Sequence, residues 1–294
     1  MPLKTVGILS PGDMGHTVGR VLGTHGLRVI TCLQGRSERT RSLAENAEIE
    51  DVPTYQALVR EADIILSILV PAQAEHAAQT VAHALTKTRA DLIYADCNAI
   101  SPQTVRRIGE IIADVGGDFV DASVIGPPPQ APGLTRFYAS GLHVGRFEEL
   151  TQFGLDVRPL GDQIGLASAI KMCYASLTKG LTALCTELLT ASKILGVSEA
   201  LTAEFQLSQS VLYERMERSL PTMPPKSRRW IGEMEEIAET FAHIGLTPKI
   251  FDGAAAMYRF VGKTDLANLA PENLDAAPSL VETVSILAAD VKPE

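Results

Sequence analysis

Residues 63–70 read DIILSILV, an almost unbroken apolar run, and no other stretch constrains the fold as tightly. It is too short to cross a bilayer as a helix. It also lacks the alternation that marks a strand with one wet face. A run of this kind is a strand covered on both faces. Such strands belong to parallel sheets, whose crossover connections lay helices above and below. The chain must therefore supply more short strands separated by helices, and it does. Thr5–Leu9, Arg28–Leu33, Leu92–Asp96, Asp118–Ile125 and Thr135–Ser140 read as strands. Residues 14–25, 37–45 and 101–115 read as helices. The pattern predicts an α/β doubly wound parallel sheet.

The alternation stops near Gly161, and only helices follow. One is expected over 166–195, ending at Gly196, and another opens at Ser198 and stops before Pro221. MPPKSR (223–228) reads as a turn. A third helix carries Trp230, Met234, Ile237, Phe241 and Ile244, a stripe that reads as core, and ends at Gly245. More helix is expected over 248–261 and 278–290. The joint falls near 160–165, dividing the chain into 1–162 and an all-α C-terminal domain, 163–294. In the long helix Leu166, Ile170, Cys173, Leu177, Leu181, Leu184 and Leu188 recur at steps of three and four, so this stripe is expected to be buried. It offers more apolar surface than a small helical domain can cover, which predicts a homodimer.

Composition removes several functions. A net charge of −9 argues against a nucleic-acid partner. Cys32, Cys97, Cys173 and Cys185 are scattered without ligand spacing, so no metal site is expected, and free thiols suit the cytoplasm. The N-terminus enters a strand with no signal-peptide core. The longest apolar stretch, around 62–74, is broken by Asp63, Pro71 and Gln73, so no membrane span is expected.

The first strand leads through SPGDMG (10–15) into a helix. A dinucleotide fingerprint needs a tight turn, a bare backbone beside the pyrophosphate and close helix–strand packing. Gly12 and Gly15 stand at the second and third glycine positions, and Ser10 replaces the first. The helix start then offers free amides and a positive dipole end to phosphates. The second strand ends in QGRSERTR (34–41), with no acid for ribose hydroxyls but with Arg36, Ser37, Arg39 and Thr40. Cations are unfavourable in a helix's first turn, and a bound 2′-phosphate would explain them, so NADP is preferred to NAD.

Lys171 is the only charged residue between Asp162 and Lys179. It lies about one residue's rotation, ~100°, off the leucine stripe and shares a face with Ala167, Tyr174 and Thr178. By itself it reads either as a solvated lysine covering apolar surface or as a proton-transfer group in a cleft. Glu233, Glu239, His243 and His16 are read as solvated and given no chemistry.

Five motifs in order resemble those of the β-hydroxyacid dehydrogenase superfamily, which includes 3-hydroxyisobutyrate and 6-phosphogluconate dehydrogenases. GILSPGDMG (7–15) resembles its G-x-I-G-x-G-x-M-G, and GRS (35–37) its N-R-T. DCNAISP (96–102) is similar to D-x-S-T-x-x-P, DASVIGP (121–127) to D-A-P-V-S-G-G, and the Lys171 helix to G-x-x-x-K-x-x-x-N. The resemblance implies a Rossmann-type domain binding cofactor through Ser10, Pro11, Gly12, Asp13, Met14, Gly15, Gly35, Arg36, Ser37, Leu69, Val70, Pro71 and Asn98. It also implies a second domain of interlocked dimer helices, and hydride transfer between a hydroxy substrate, expected to be a hydroxy acid, and nicotinamide. Lys171 would be the general acid/base, its pKa lowered by partial burial. Asn98 would bind substrate or hold Lys171, Ser123 would line the cleft, and Tyr174 would orient the amine.

The departures are specific. Asn98-Ala99 replaces Ser-Thr, Ile125-Gly126-Pro127 replaces Ser-Gly-Gly, and Ala175 replaces the asparagine one turn after the lysine. Pro127–Pro129 have no N–H to offer an oxyanion, which argues against a sugar-phosphate substrate. These features resemble a bacterial branch whose C-terminal domain is phosphogluconate dehydrogenase-like and of unknown function. Two other readings stay open, an imine reductase-like enzyme and a non-catalytic NADP-binding sensor or scaffold. Imine reductases usually carry Asp or Tyr where Lys171 stands, which favours an alcohol–carbonyl substrate.

Overall fold

The computed structural model describes residues 2–88, 90–129, 131, 133–269 and 278–291. Eight strands form one sheet: β1 (Thr5–Leu9), β2 (Arg28–Thr31), β3 (Glu50–Asp51), β4 (Ile64–Ser67), β5 (Ile93–Asp96), β6 (Asp118–Ile125), β7 (Arg136–Ser140) and β8 (Asp156–Pro159). Their order is β3-β2-β1-β4-β5-β6-β7-β8. Every pair is parallel except β6 with β7, which runs antiparallel with Asp121 opposite Ser140. The wholly parallel sheet expected from the sequence is thus corrected at one pair. A loop of ten residues joins β6 to β7, too short for the crossover that a parallel pair requires.

Helices α1 (Asp13–Thr24), α2 (Glu38–Asn46), α3 (Tyr55–Glu61), α4 (Ala74–Thr88), α5 (Pro102–Ala113) and α6 (Val144–Glu148) lie in the same part of the chain. The sheet separates two buried clusters. Val6, Ile8, Ile64, Leu66 and Ala95 belong to one, and Leu9, Ile65, Tyr94, Ile108 and Val81 to the other. Ile64 and Ile65 are neighbours on one strand, so β4 is covered on both faces, as the DIILSILV run requires. Asp63, the polar residue at its head, accepts from the amides of Lys4 and Thr5 at 2.8 and 2.9 Å and fixes where β1 begins.

The remaining helices are α7 (Leu166–Ile194), α8 (Ser198–Ser208), α9 (Ser210–Ser219), α10 (Ser227–His243), α11 (Lys249–Val261) and α12 (Leu280–Asp290). The chain divides into two compact units, Met1–Met172 and Cys173–Glu294, so the division falls within α7 rather than at the joint near 160–165. The first turn of α7 is hydrogen-bonded to β6, which carries it with the sheet. The single helix expected from Ser198 to Pro221 is broken at Gln209, where φ is −137° and ψ is 37°. Ser208 there bonds back to the Glu204 carbonyl, a competition that weakens helices.

The leucine stripe of α7 is the largest correction. Leu177 and Leu184 are 63% and 56% exposed, while Ala175, Thr182, Ala183 and Thr186 are buried. The buried threonines satisfy their hydroxyls on the carbonyls of Thr178 and Thr182, so this small-residue face packs at no polar cost. Glu233, read as solvated, is also buried, and it pairs with Lys179. In the same unit Trp230 meets Tyr258 edge-on at 5.3 Å, which agrees with reading its stripe as core. Among the described residues no helix is long and apolar enough to cross a membrane, and no cluster could hold a metal ion.

Candidate functional site

The turn after β1 is built for close backbone approach. Ser10 adopts a left-handed φ of 59°, and the Gly12 amide donates to its carbonyl at 2.7 Å. A Cβ on Gly15 would lie 2.9 Å from that carbonyl, so this glycine serves packing between β1 and α1. A Cβ on Gly12 would meet only the same oxygen at 4.0 Å. Its bareness is not required by the protein, but it leaves room for a ligand. Gly12 caps α1 with no side-chain hydrogen bond, so amides of the first turn remain available to an anion. These residues fit a pyrophosphate. Asp13 begins α1, Met14 packs against the core, and His16 Nδ1 lies 2.7 Å from the Gly12 carbonyl. His16 is therefore half-buried and engaged rather than simply solvated.

Beyond β2 the cations separate into distinct roles. Arg39 pairs with Asp13 at 2.5 Å, and Arg41 donates to the Leu33 carbonyl at 2.6 Å. Ser37 caps α2, its hydroxyl accepting from the Thr40 amide at 3.3 Å. Arg36 follows Gly35, whose φ is 72°, and donates to the Tyr55 hydroxyl at 3.4 Å. Among the described residues no carboxylate pairs with Arg36. Asp51, the acid at the end of the adjoining strand β3, is turned to the Leu33 amide at 2.8 Å. A 2′-phosphate would meet a guanidinium here and no ribose-binding carboxylate.

At the ends of β4 and β5 lies a buried polar network. Asn98 is 2% exposed. Its Oδ1 accepts from the Leu69 amide at 2.5 Å, and its Nδ2 donates to Ser67 Oγ at 3.0 Å and Asp96 Oδ2 at 2.9 Å. Its amide is therefore engaged in bracing the turn that carries Leu69, Val70 and Pro71, rather than in holding Lys171. Val70 in that turn is exposed and Pro71 opens a short 3₁₀ segment. Lys171 is half-buried, and its Nζ donates to the Val124 carbonyl near the end of β6 at 2.6 Å. It is not a solvated lysine. Ser123, beside Val124, is wholly buried, and its hydroxyl finds no partner among the described residues. Tyr174 is about half exposed, and its carbonyl accepts from Thr178 Oγ1 at 3.2 Å. Two residues were given no role by the sequence, Tyr55, which meets Arg36, and Asp121, which accepts from the start of α7. The signal for Asp121 was a charge inside an apolar strand, FVDASVI.

Residues 5–144 match the NAD binding domain of 6-phosphogluconate dehydrogenase. The match covers the strands from β1 to β7 and the turn after β1. Residues 193–261 match a domain of unknown function, DUF1932. A conserved protein of unknown function, reported to resemble 3-hydroxyacid dehydrogenases, is 29% identical. It superposes over 88% of this chain and 99% of its own with a TM-score of 0.65. A 3-hydroxyisobutyrate dehydrogenase from Mycobacterium tuberculosis, solved with L-serine, is 15% identical over 98% of this chain and 99% of its own, with a TM-score of 0.68. An imine reductase variant from Myxococcus stipitatus, in complex with NAD+, is 16% identical over 98% and 99%, with a TM-score of 0.56. The match to the 6-phosphogluconate dehydrogenase-type domain supports a nicotinamide dinucleotide as the cofactor class. The fold shared with hydroxyacid dehydrogenases extends over nearly the whole chain.

Proposed function

We propose that the protein is an NADP-dependent oxidoreductase of the β-hydroxyacid dehydrogenase type in which Lys171 is the general acid/base. The observation that carries the reading is the half-buried Lys171 amine, held 2.6 Å from the Val124 carbonyl within the dinucleotide-binding unit. A lysine so anchored keeps its Nζ at one place, from which it exchanges a proton with a substrate oxygen. As the neutral amine it takes the proton from an alcohol, and as ammonium it returns the proton to a carbonyl oxygen in the reverse direction. The nicotinamide, when bound, accepts or supplies the hydride. Gly12 and the start of α1 hold the pyrophosphate, and Arg36, with Tyr55 beside it, holds the 2′-phosphate. Tyr174 orients the amine or the substrate, and the segment 163–294 carries the dimer contacts.

A primary amine exchanges protons readily with an alcohol–carbonyl pair, which supports a hydroxy substrate, and the fold shared with 3-hydroxyisobutyrate dehydrogenase supports a hydroxy acid. A panel of 3-hydroxy acids, simple alcohols and imines, followed at the nicotinamide absorbance, tests this reading. Lys171→Met should lose about 10²–10⁴-fold in kcat on the substrate so found and keep its affinity for NADP. Near-normal turnover by that variant would remove the mechanism. Turnover confined to imines would move the chain to the imine reductases, and NADP binding without any turnover would leave a sensor or scaffold.

A further inference from the structure

We infer that Asp121 is the positioning residue for Lys171, acting by capping the start of α7 from the middle of β6. This rests on the reading of Lys171 as the proton-transfer group for its consequence, but not for its geometry.

The first amides of any helix lack partners within it and must be satisfied from outside. In α7 the partner is a strand carboxylate more than forty positions earlier. Asp121 Oδ2 accepts from the amides of Gly165, Ala167 and Ser168 at 2.8, 3.1 and 3.2 Å. Its Oδ1 accepts from Ser168 Oγ at 2.8 Å, and Ser140 Oγ on β7 donates to Oδ2 at 3.1 Å. Asp121, Ser140 and Ser168 are all buried, so water does not compete for these bonds. Burial pushes the Asp121 carboxyl above its ordinary value, and the hydrogen bonds from Ser168, Gly165 and Ser140 oppose that push. Only the ionised form accepts from all five donors at once.

The clamp is placed so that it sets Lys171. Ser168 and Lys171 are three residues apart, neighbours on one face of α7. Their partners, Asp121 and Val124, are three residues apart on β6. The helix is therefore pinned to the strand at two successive points. A slip of one residue would turn Lys171 by about 100° and break both contacts together. Neither contact is needed for the sheet itself, whose β6–β7 ladder runs through backbone pairs from Asp121 to Ile125. A carboxylate serving stability alone would cap the helix equally well without governing where the amine points. Here the register of one fixes the place of the other.

The test reads Lys171 directly. Full-length protein is labelled with an amine-acetylating reagent, and the rate at each lysine is followed by mass spectrometry. Lys193, exposed on the same helix, serves as the internal standard. Asp121→Asn and the milder Ser168→Ala are compared with the parent under conditions where circular dichroism shows each to be folded. With the clamp weakened, Lys171 should label about fivefold faster relative to Lys193, the ratio that corresponds to one ordinary hydrogen bond. NADP affinity should stay unchanged. An unchanged Lys171:Lys193 ratio in a folded variant overturns the inference, and if Asp121→Asn does not fold, Ser168→Ala decides it. Failure of the general acid/base reading would instead show in the turnover of Lys171→Met and leave the labelling result intact.

Discussion

Arg36 has a neutral phenol for its nearest partner, while Arg39 and Arg41 are occupied within the protein. Arg36→Ala should therefore weaken NADP about ten- to a hundredfold, as loss of a charge-assisted contact of about 1.5–3 kcal/mol requires, and leave NAD unchanged. Calorimetry with both cofactors checks this. Gly126 carries a different kind of constraint. Its φ is 128°, and a Cβ there would lie 2.2 Å from the Leu134 carbonyl oxygen. Gly126→Ala should cost about 3 kcal/mol or more and lower the thermal midpoint in a melting experiment, because backbone rather than side chain would have to move. At this scale the sequence was partly legible. The fingerprint glycines and Arg36 stand out because their chemistry is local. The four basic and hydroxyl residues after β2 looked alike in the sequence, since nothing local tells that Arg39 meets Asp13, 26 positions earlier. Asn98 misled for the same reason: its partners Ser67 and Leu69 are about thirty positions away.

Among the elements, α12 has the most complete local capping. Ser279 Oγ accepts from the Glu282 amide, and the Glu282 carboxylate accepts in return from the Ser279 amide. The Ser279 amide and hydroxyl hold the Glu282 carboxyl below its ordinary value. A folded value lowered in this way adds stability above the ordinary carboxylate range and loses it as the pH falls through the lowered value. Hydrogen exchange, corrected for intrinsic rates, should show the first turn of α12 losing protection on acidification, and Glu282→Gln should abolish that dependence. Element existence was readable where periodicity and caps coincide, as in α1, α5 and α10. The two-residue β3 and the short α3 escaped because so few residues carry no period. In α7 the period was real but was assigned to the wrong face. Hydrophobicity alone does not say that Thr182 and Thr186 can be buried by bonding to their own helix.

For the whole molecule, that inversion has a physical implication. Large exposed apolar side chains in the helical unit include Leu177, Leu184, Leu207 and Val211, the last two at 83% and 78%. One buried cluster of this unit centres on Cys185, Leu189, Tyr213, Met216 and Leu220, and Met234, Ile237, Tyr258 and Val261 are buried as well. We propose that a second copy covers the α7 stripe, since obligate interfaces are apolar in this way. Sedimentation should give twice the 31.5 kDa chain mass, and Leu177→Glu combined with Leu184→Glu should return the single-chain mass. The sequence raised the dimer as an expectation from excess apolar surface, and the burial it expected for the leucine stripe is not found within one chain. The strand order carries a consequence of another sort. β1 lies between β2 and β4, and Val6 finds its partner Ile64 only 58 residues later. During synthesis at roughly 5–20 residues per second, the first strand waits about 3–12 s for that neighbour to be made. Through that interval β1 has β2 on one side while its β4 edge stays unpaired, which makes this nascent stretch a client for whatever shields emerging strand edges.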